Sequence, residues 1–487
     1  MLFNSAAYAV FFAVVTGSYF LLPHRLRWAL LLAASCGFYM WFRPVYILIL
    51  GFTIVVDYFA GLWIESAQGA RRRWALGISL AANAGVLAVF KYWNFGQGNL
   101  EAAARLLGWN YSPALLEMAL PIGLSFHTFQ AMSYTIEVYR GHQRAERHFG
   151  IYSLYVMFFP QLVAGPIERP QNLLHQFHER HTFDYERAAS GLRLMAWGLF
   201  KKVCVADRAS IFVNSVYGKP EAFQGPGLVI ATLFFAVQIY CDFSGYSDMA
   251  IGAARVLGFD LMRNFRHPYA SRSVGEFWRR WHISLSTWFK DYVYVPLGGS
   301  RVPAARHAFN LIAVFLLSGL WHGANWTFLA WGGIHGIALA GSFLTSGPRQ
   351  RIRNALEPIV GSTLTGLWQR FCVLTIVCLG WIFFRATSVH HATDLIRQLP
   401  LGWSLVVHPH AFFQLLWDAG YGRLDFLLIL GLIGVVFAVE AFERRQPVNP
   451  WICSLPRWQR WLLYETVVLG IFWLAPGSGD QFIYFQF

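Results

Sequence analysis

Two histidines frame the stretch of this chain best suited to chemistry. His322 stands in Leu320-Trp321-His322-Gly323-Ala324-Asn325, and residues 308–344 around it contain no Lys, Arg, Asp or Glu. A polar ring in so apolar a segment needs a task or a partner. A neutral imidazole there can take a proton from a hydroxyl, or it can be a core residue held by a carbonyl; residue type alone leaves both readings open. Glycines at 319 and 323 permit close approach of another backbone or of a substrate. His335 follows thirteen positions later. At about 100° per residue on a single helix it would point well away from His322, so a shared metal site is not expected.

His282 closes the cluster Trp278-Arg279-Arg280-Trp281-His282. Ser273 and Glu276 stand at capping-box spacing ahead of it, and Val274, Phe277, Trp278, Trp281, Leu285, Trp288 and Phe289 recur at three- and four-residue steps. This pattern predicts an amphipathic helix lying at a membrane interface. Arg279, Arg280 and Lys290 on its polar side suit a phosphate-bearing ligand, with lipid headgroups as the default partner.

These residues must be positioned by a chain of 487 residues that is 56% hydrophobic, 17% aromatic and 13% charged. That balance predicts an all-α polytopic membrane protein rather than a soluble domain. The net charge of +14 comes from cations dispersed among apolar stretches. Such dispersal fits the positive-inside bias and argues against nucleic acid. The six cysteines form no CxxC pair or metal spacing and read as free thiols. No GxSxG, P-loop or GxGxxG occurs in a suitable setting, so serine hydrolysis and nucleotide chemistry find no support.

Spanning stretches are predicted at 5–22, 28–42, 45–63, 74–93, 118–137, 150–165, 188–216, 227–257, 308–320, 324–345, 366–384, 425–442 and 461–475. The first lacks a basic leader and a cleavage site, so it is expected to be retained. Arginines at 25 and 27, at 71–73, and at 140, 144 and 147 alternate as cytoplasmic loops should, placing the N-terminus outside. AGPIERP (164–170), the pair Lys201 and Lys202, and CDFSGYSD (241–248) put charge and turn residues within apolar stretches. Irregular backbone at membrane depth requires protein or a wet cavity around it. A single domain over 1–487 is therefore expected, with a catalytic intramembrane core at 151–345 between helices at 1–150 and 346–487. Residues 94–117, 347–364 and 398–424 read as loops. Asp242 and Asp248 read as helix-end caps or as a proton relay, and Glu168 with Arg169 as an ion pair in a turn.

In the blocks LPIGLSFHTFQAMSY (120–134), FFPQLVAGPIERP (158–170), DFSGYSDMAIG (242–252), EFWRRWHISLSTWFKDYVYVPLGG (276–299), LLSGLWHGANW (316–326) and FIYFQF (482–487), the sequence resembles the membrane-bound O-acyltransferase family. The likeness runs nearly end to end and is strongest to the bacterial alginate O-acetylase branch. It implies a ring of roughly eleven transmembrane helices, with re-entrant and interfacial helices, around a central funnel. It also implies O-acetyl transfer to an exported polysaccharide such as alginate, in the bacterial inner membrane. His322 would be the catalytic base, and His282 would position the donor or assist the proton. Arg279, Arg280 and Lys290 would hold the donor's phosphates, and Trp321 and Asn325 would contact substrate. The donor would be acetyl-CoA or another acyl thioester, a substrate rather than a cofactor, and no metal is implied. Expected partners are the lipid bilayer, an extracytoplasmic acetyltransferase, and polysaccharide synthesis and export proteins. A related branch that moves D-alanine from a carrier protein to teichoic acid shares both histidine blocks. A transporter would also be polytopic, but it would usually show two halves with matching interrupted helices, and none is visible.

Overall fold

A computed structural model describes residues 1–116, 121–163, 165–476 and 482–483. The start of the predicted span 118–137, Ala164, and all of the terminal block except Phe482 and Ile483 lie outside the described residues. The described chain is helical and contains no strand. It packs as two compact units, one of Met1–Met195 with Tyr246–Arg263 and one of Ala196–Gly245 with Asn264–Phe487.

In the first unit the arginines expected in loops stand partly on helices, Arg25 and Arg27 in His24–Met40 and Arg71, Arg72 and Arg73 in Gly69–Leu87. Arg72 donates to the carbonyls of Val138 and Tyr139, and Arg147 pairs with Glu65. The predicted loop at 94–117 is helical as far as Leu106. Helix Gly69–Leu87 continues through a π-helical stretch, Ala88–Tyr92, into Trp93–Leu106, and no proline interrupts it before Pro113. Inside this unit Asp57 is fully buried. It accepts hydrogen bonds from Ser79 Oγ at 2.6 Å and Asn83 Nδ2 at 2.8 and 3.0 Å, which pin helix Ile47–Ser66 to Gly69–Leu87. Glu168, also fully buried, is held by Asn172 Nδ2 at 2.5 Å and the Met262 amide at 2.6 Å.

In the second unit the polar residues Lys201, Lys202, Asp207, Asp242 and Ser244 are drawn into the core. Lys201 and Lys202 open a π-helical stretch, Lys201–Ala206. Lys202 Nζ lies 2.6 Å from Asp207 and 2.8 Å from Asp242, and Lys201 Nζ donates to Ser244 Oγ at 2.8 Å. Asp242 stands well inside the 33-residue helix Gly225–Leu257, so the expectation of a helix-end cap is corrected: its carboxylate pairs across helices instead. The predicted loop 347–364 is also helical, as the first part of Ser346–Arg385, which bends where Gly361 takes φ 82°. Within the predicted loop 398–424 lies helix Pro409–Asp418.

Seven described helices are long and apolar enough to cross a membrane by length and composition: Pro44–Ser66, Gly69–Leu106, Gly225–Leu257, Ala304–His322, Trp326–Leu344, Ser346–Arg385 and Arg423–Glu443. Ala6–Leu21 is apolar but shorter. Other predicted spans fall short for visible reasons. The stretch 150–165 forms only the nine-residue helix Phe149–Met157, and 188–216 is interrupted by the π-helical turn at the two lysines. Leu424, Leu427 and Leu430 are exposed on one side of Arg423–Glu443, as a lipid-facing surface requires. The chain is thus an all-α, multi-pass membrane protein that resides in a lipid bilayer.

Candidate active site

His322 is the last residue of helix Ala304–His322, which pairs with Trp326–Leu344 as a hairpin. The pairing depends on bare backbone. A Cβ added at Gly319 would fall 2.2 Å from the Phe328 carbonyl oxygen, and one at Gly332 would fall 2.2 Å from that of Phe315. Small residues let the two helices close to this distance. The turn is written by its caps: Gly323 is extended, and Asn325 N-caps the second helix by accepting from the Thr327 amide at 3.0 Å. Asn325 Nδ2 also donates to the Thr387 carbonyl at 3.2 Å. His322 is 5% exposed, with ring centroids 4.9 Å from Trp321, 4.9 Å from Trp331 and 5.3 Å from Phe384. The hairpin corrects the single-helix geometry assumed for His322 and His335. The two stand on different helices, and both contact the Trp331 ring.

His282 is positioned differently. The predicted start is present, with Ser273 accepting from the Glu276 amide at 3.1 Å, but Glu276 Oε2 turns to the Arg272 amide. The helix then stops at Trp278 and resumes as Ile283–Phe289. Between them the backbone is stitched to residues 264–266, through Arg266 N to Arg280 O at 2.9 Å and Ile283 N to Asn264 O at 2.8 Å. His282 sits in this break with φ 43°, a left-handed conformation that costs an ordinary L-residue about 1–2 kcal/mol. It is fully buried, with Nδ1 3.3 Å from Asn264 Oδ1 and its ring perpendicular to Phe243 at 4.6 Å. Asn264 Oδ1 also accepts from Ser284 Oγ at 2.6 Å. A strained backbone held by tertiary bonds is a mark of positions that orient a side chain.

Trp321 joins the two histidines. Its indole lies 4.9 Å from the His322 ring and 6.2 Å from the His282 ring. Of the predicted cations, Arg279 and Arg280 fall in the same break as His282. Arg279 is exposed, while Arg280 pairs with Glu276 at 2.6 Å. Lys290 is exposed where the segment continues as the π-helical Lys290–Tyr294. Among the described residues no group of three or more His, Cys, Asp or Glu side chains could hold a metal ion.

Sequence reasoning missed Asn264, which carries no local motif and reveals its task only through contacts eighteen and twenty residues away. It also missed what Asp242 does. Besides Lys202, that carboxylate accepts from the Ile483 amide at 2.6 Å, and Phe482 lies 5.9 Å from Phe243, the ring that packs on His282. The FIYFQF and DFSGYSD blocks were visible as blocks, but nothing in their spacing said that they meet.

The model of the membrane-bound O-acyltransferase family matches residues 140–353, which include both histidines. The chain is 40% identical over 455 residues to a probable alginate O-acetylase of Azotobacter vinelandii, covering 92% of this chain and 85% of that protein. It is 38% identical over 406 residues to a probable alginate O-acetylase of Pseudomonas aeruginosa (82% and 75% covered). It is 35% identical over 396 residues to a peptidoglycan O-acetyltransferase of Helicobacter pylori (76% and 73% covered). With a polytopic helical fold and this extent of identity, the chain belongs to the membrane-bound O-acyltransferase family and is an O-acyltransferase.

Proposed function

We propose that this protein moves acetyl groups from a cytoplasmic acyl thioester, such as acetyl-CoA, toward the hydroxyls of an exported polysaccharide such as alginate, in the bacterial inner membrane. The observation that carries the proposal is the burial of His322 and His282 with the Trp321 ring in contact with both, within the region matched by the family model. The names of the alginate and peptidoglycan O-acetylating relatives support the choice of acyl group and acceptor.

In this reading His322 takes the proton of the attacking hydroxyl as its oxygen bonds to the thioester carbonyl. The tetrahedral intermediate then expels the sulfur, which receives that proton from His322, leaving an ester and a free thiol. His282, fixed by Asn264, positions the donor or assists the proton. Arg279, Arg280 and Lys290 take the donor's phosphates, and Trp321 and Asn325 contact the acyl-bearing end. A sugar-binding groove needs a folded platform with several positioned groups, so an extracytoplasmic acetyltransferase is the partner that finishes transfer onto the polymer, alongside the synthesis and export proteins.

Reconstitution in liposomes tests this. With acetyl-CoA on one side and oligosaccharide on the other, acetylation should be slight until the partner is added and rapid afterwards. Rapid transfer by this chain alone would replace the relay with direct transfer. Transfer only from a D-alanyl carrier thioester would overturn the choice of donor.

A further inference from the structure

Helix Trp326–Leu344 carries a buried polar column that the reaction above does not use. Thr327, Trp331 and His335 recur at four-residue steps on one face and are 1%, 0% and 0% exposed. Among the described residues Thr327 Oγ1, Trp331 Nε1 and both ring nitrogens of His335 have no hydrogen-bond partner. Trp278 Nε1, buried against the same column, has none either; its ring lies 4.9 Å from His335 and 5.5 Å from Trp331. On one side of His335, helix Ser346–Arg385 packs bare backbone against the ring: a Cβ added at Gly380 would come within 2.6 Å of Nε2. Trp381 on that helix shows the ordinary arrangement: it is just as buried, and its indole N–H reaches Tyr269 Oη at 3.3 Å.

A buried polar group without a partner has given up its hydrogen bonds to water and gained none in return. Five such atoms in one cluster are not a chance feature of a packed core. Successive rungs four residues apart are separated by roughly 6 Å along the helix, about the span that one water bridges with two hydrogen bonds. Buried water characteristically occupies such places. We propose that Thr327, Trp331, His335 and Trp278 bind a file of ordered water, and that His335 acts through it as a positioning residue for His322.

The link to His322 is Trp331, whose ring touches His322 at 4.9 Å and His335 at 5.1 Å. Trp331, held by the file, in turn fixes the orientation of the His322 ring that packs on it. His335 gains and loses no proton over the cycle, since the hydroxyl proton passes to His322 and then to the departing sulfur. The role of His335 rests on the reading of His322 as the base; the water file itself does not.

Two measurements separate those parts. The first is X-ray radiolytic hydroxyl-radical labelling of the purified protein in ¹⁸O-water, which oxidises buried side chains that contact bound water and needs no turnover. Trp278 and Trp331 should be oxidised several-fold more than Trp381, and His335→Phe should bring them down to its level. Equal oxidation of the three indoles in the unsubstituted protein would overturn the water file whatever reaction the protein catalyses. The second is acyl transfer. His335→Phe, which keeps the ring's shape without its nitrogens, should lower kcat about tenfold or more with KM unchanged, and His335→Gln should restore most of the loss. An unchanged kcat in His335→Phe, or an equal loss in His335→Gln, would remove the positioning role.

Discussion

The two breaks that carry the histidines are built on opposite principles. The turn after His322 is local: a glycine in extended conformation, an asparagine cap two residues on, and two helices that close because Gly319 and Gly332 have no side chains. The break at His282 is tertiary. Nothing between Trp278 and Ile283 stops a helix, and the interruption is imposed by bonds to Asn264 and Arg266. A local break can be read along the chain, whereas a tertiary one cannot.

Several substitutions sharpen that contrast, beginning with the largest effect. Gly319→Val should abolish the hairpin, because its side chain would meet the Phe328 backbone. Loss of the monodisperse peak in fluorescence-detected size exclusion is expected, and a normal peak would refute close backbone packing as the basis of the turn. At the other break, His282→Val should also collapse abundance, since a β-branched residue is a poor fit at φ 43°. His282→Asn, which tolerates that conformation, should accumulate normally yet transfer acyl groups at least about tenfold more slowly. If His282→Asn is fully active, the residue serves the backbone and not the reaction.

Asn264→Ala comes next. It removes the acceptor used by Ser284 and His282, at about 1–3 kcal/mol. The expected result is a detergent-solubilised protein whose Tm falls by several degrees and whose activity falls further than stability alone explains. The smallest effect belongs to the local turn. Asn325→Ala loses a cap worth about 1 kcal/mol, and Asn325→Asp keeps it. If Asn325→Ala lowers acyl transfer a hundredfold while Tm barely moves, Asn325 contacts substrate and is more than a cap.

The same distinction explains what the sequence disclosed. The helical membrane class and the Ser273 cap follow from composition and short-range spacing, and each is present. The turn after His322 was legible as a place of close approach because Gly319 and Gly323 are short-range signals. The continuous helix through Arg280 was wrong because apolar periodicity persists across the break and records burial, not hydrogen bonding. Asp242 was misjudged for a related reason. A Ser-Gly-Tyr-Ser run looks like a turn, but within Gly225–Leu257 it is helix, and the acid answers to Lys202 forty residues earlier. The loops expected at 94–117 and 347–364 were polar enough to leave the membrane, yet helix persists in each until a glycine breaks it, at Gly108 and Gly361.

In the proposed reaction His322 accepts the proton of the attacking hydroxyl. The most direct test of that role is the acyl-transfer rate of His322→Ala at matched abundance in the membrane, with the acetyl content of the polymer read in parallel. A fall of at least about a hundredfold, with the protein still correctly inserted, is the predicted result. Wild-type acetylation by a well-inserted His322→Ala protein would contradict the account.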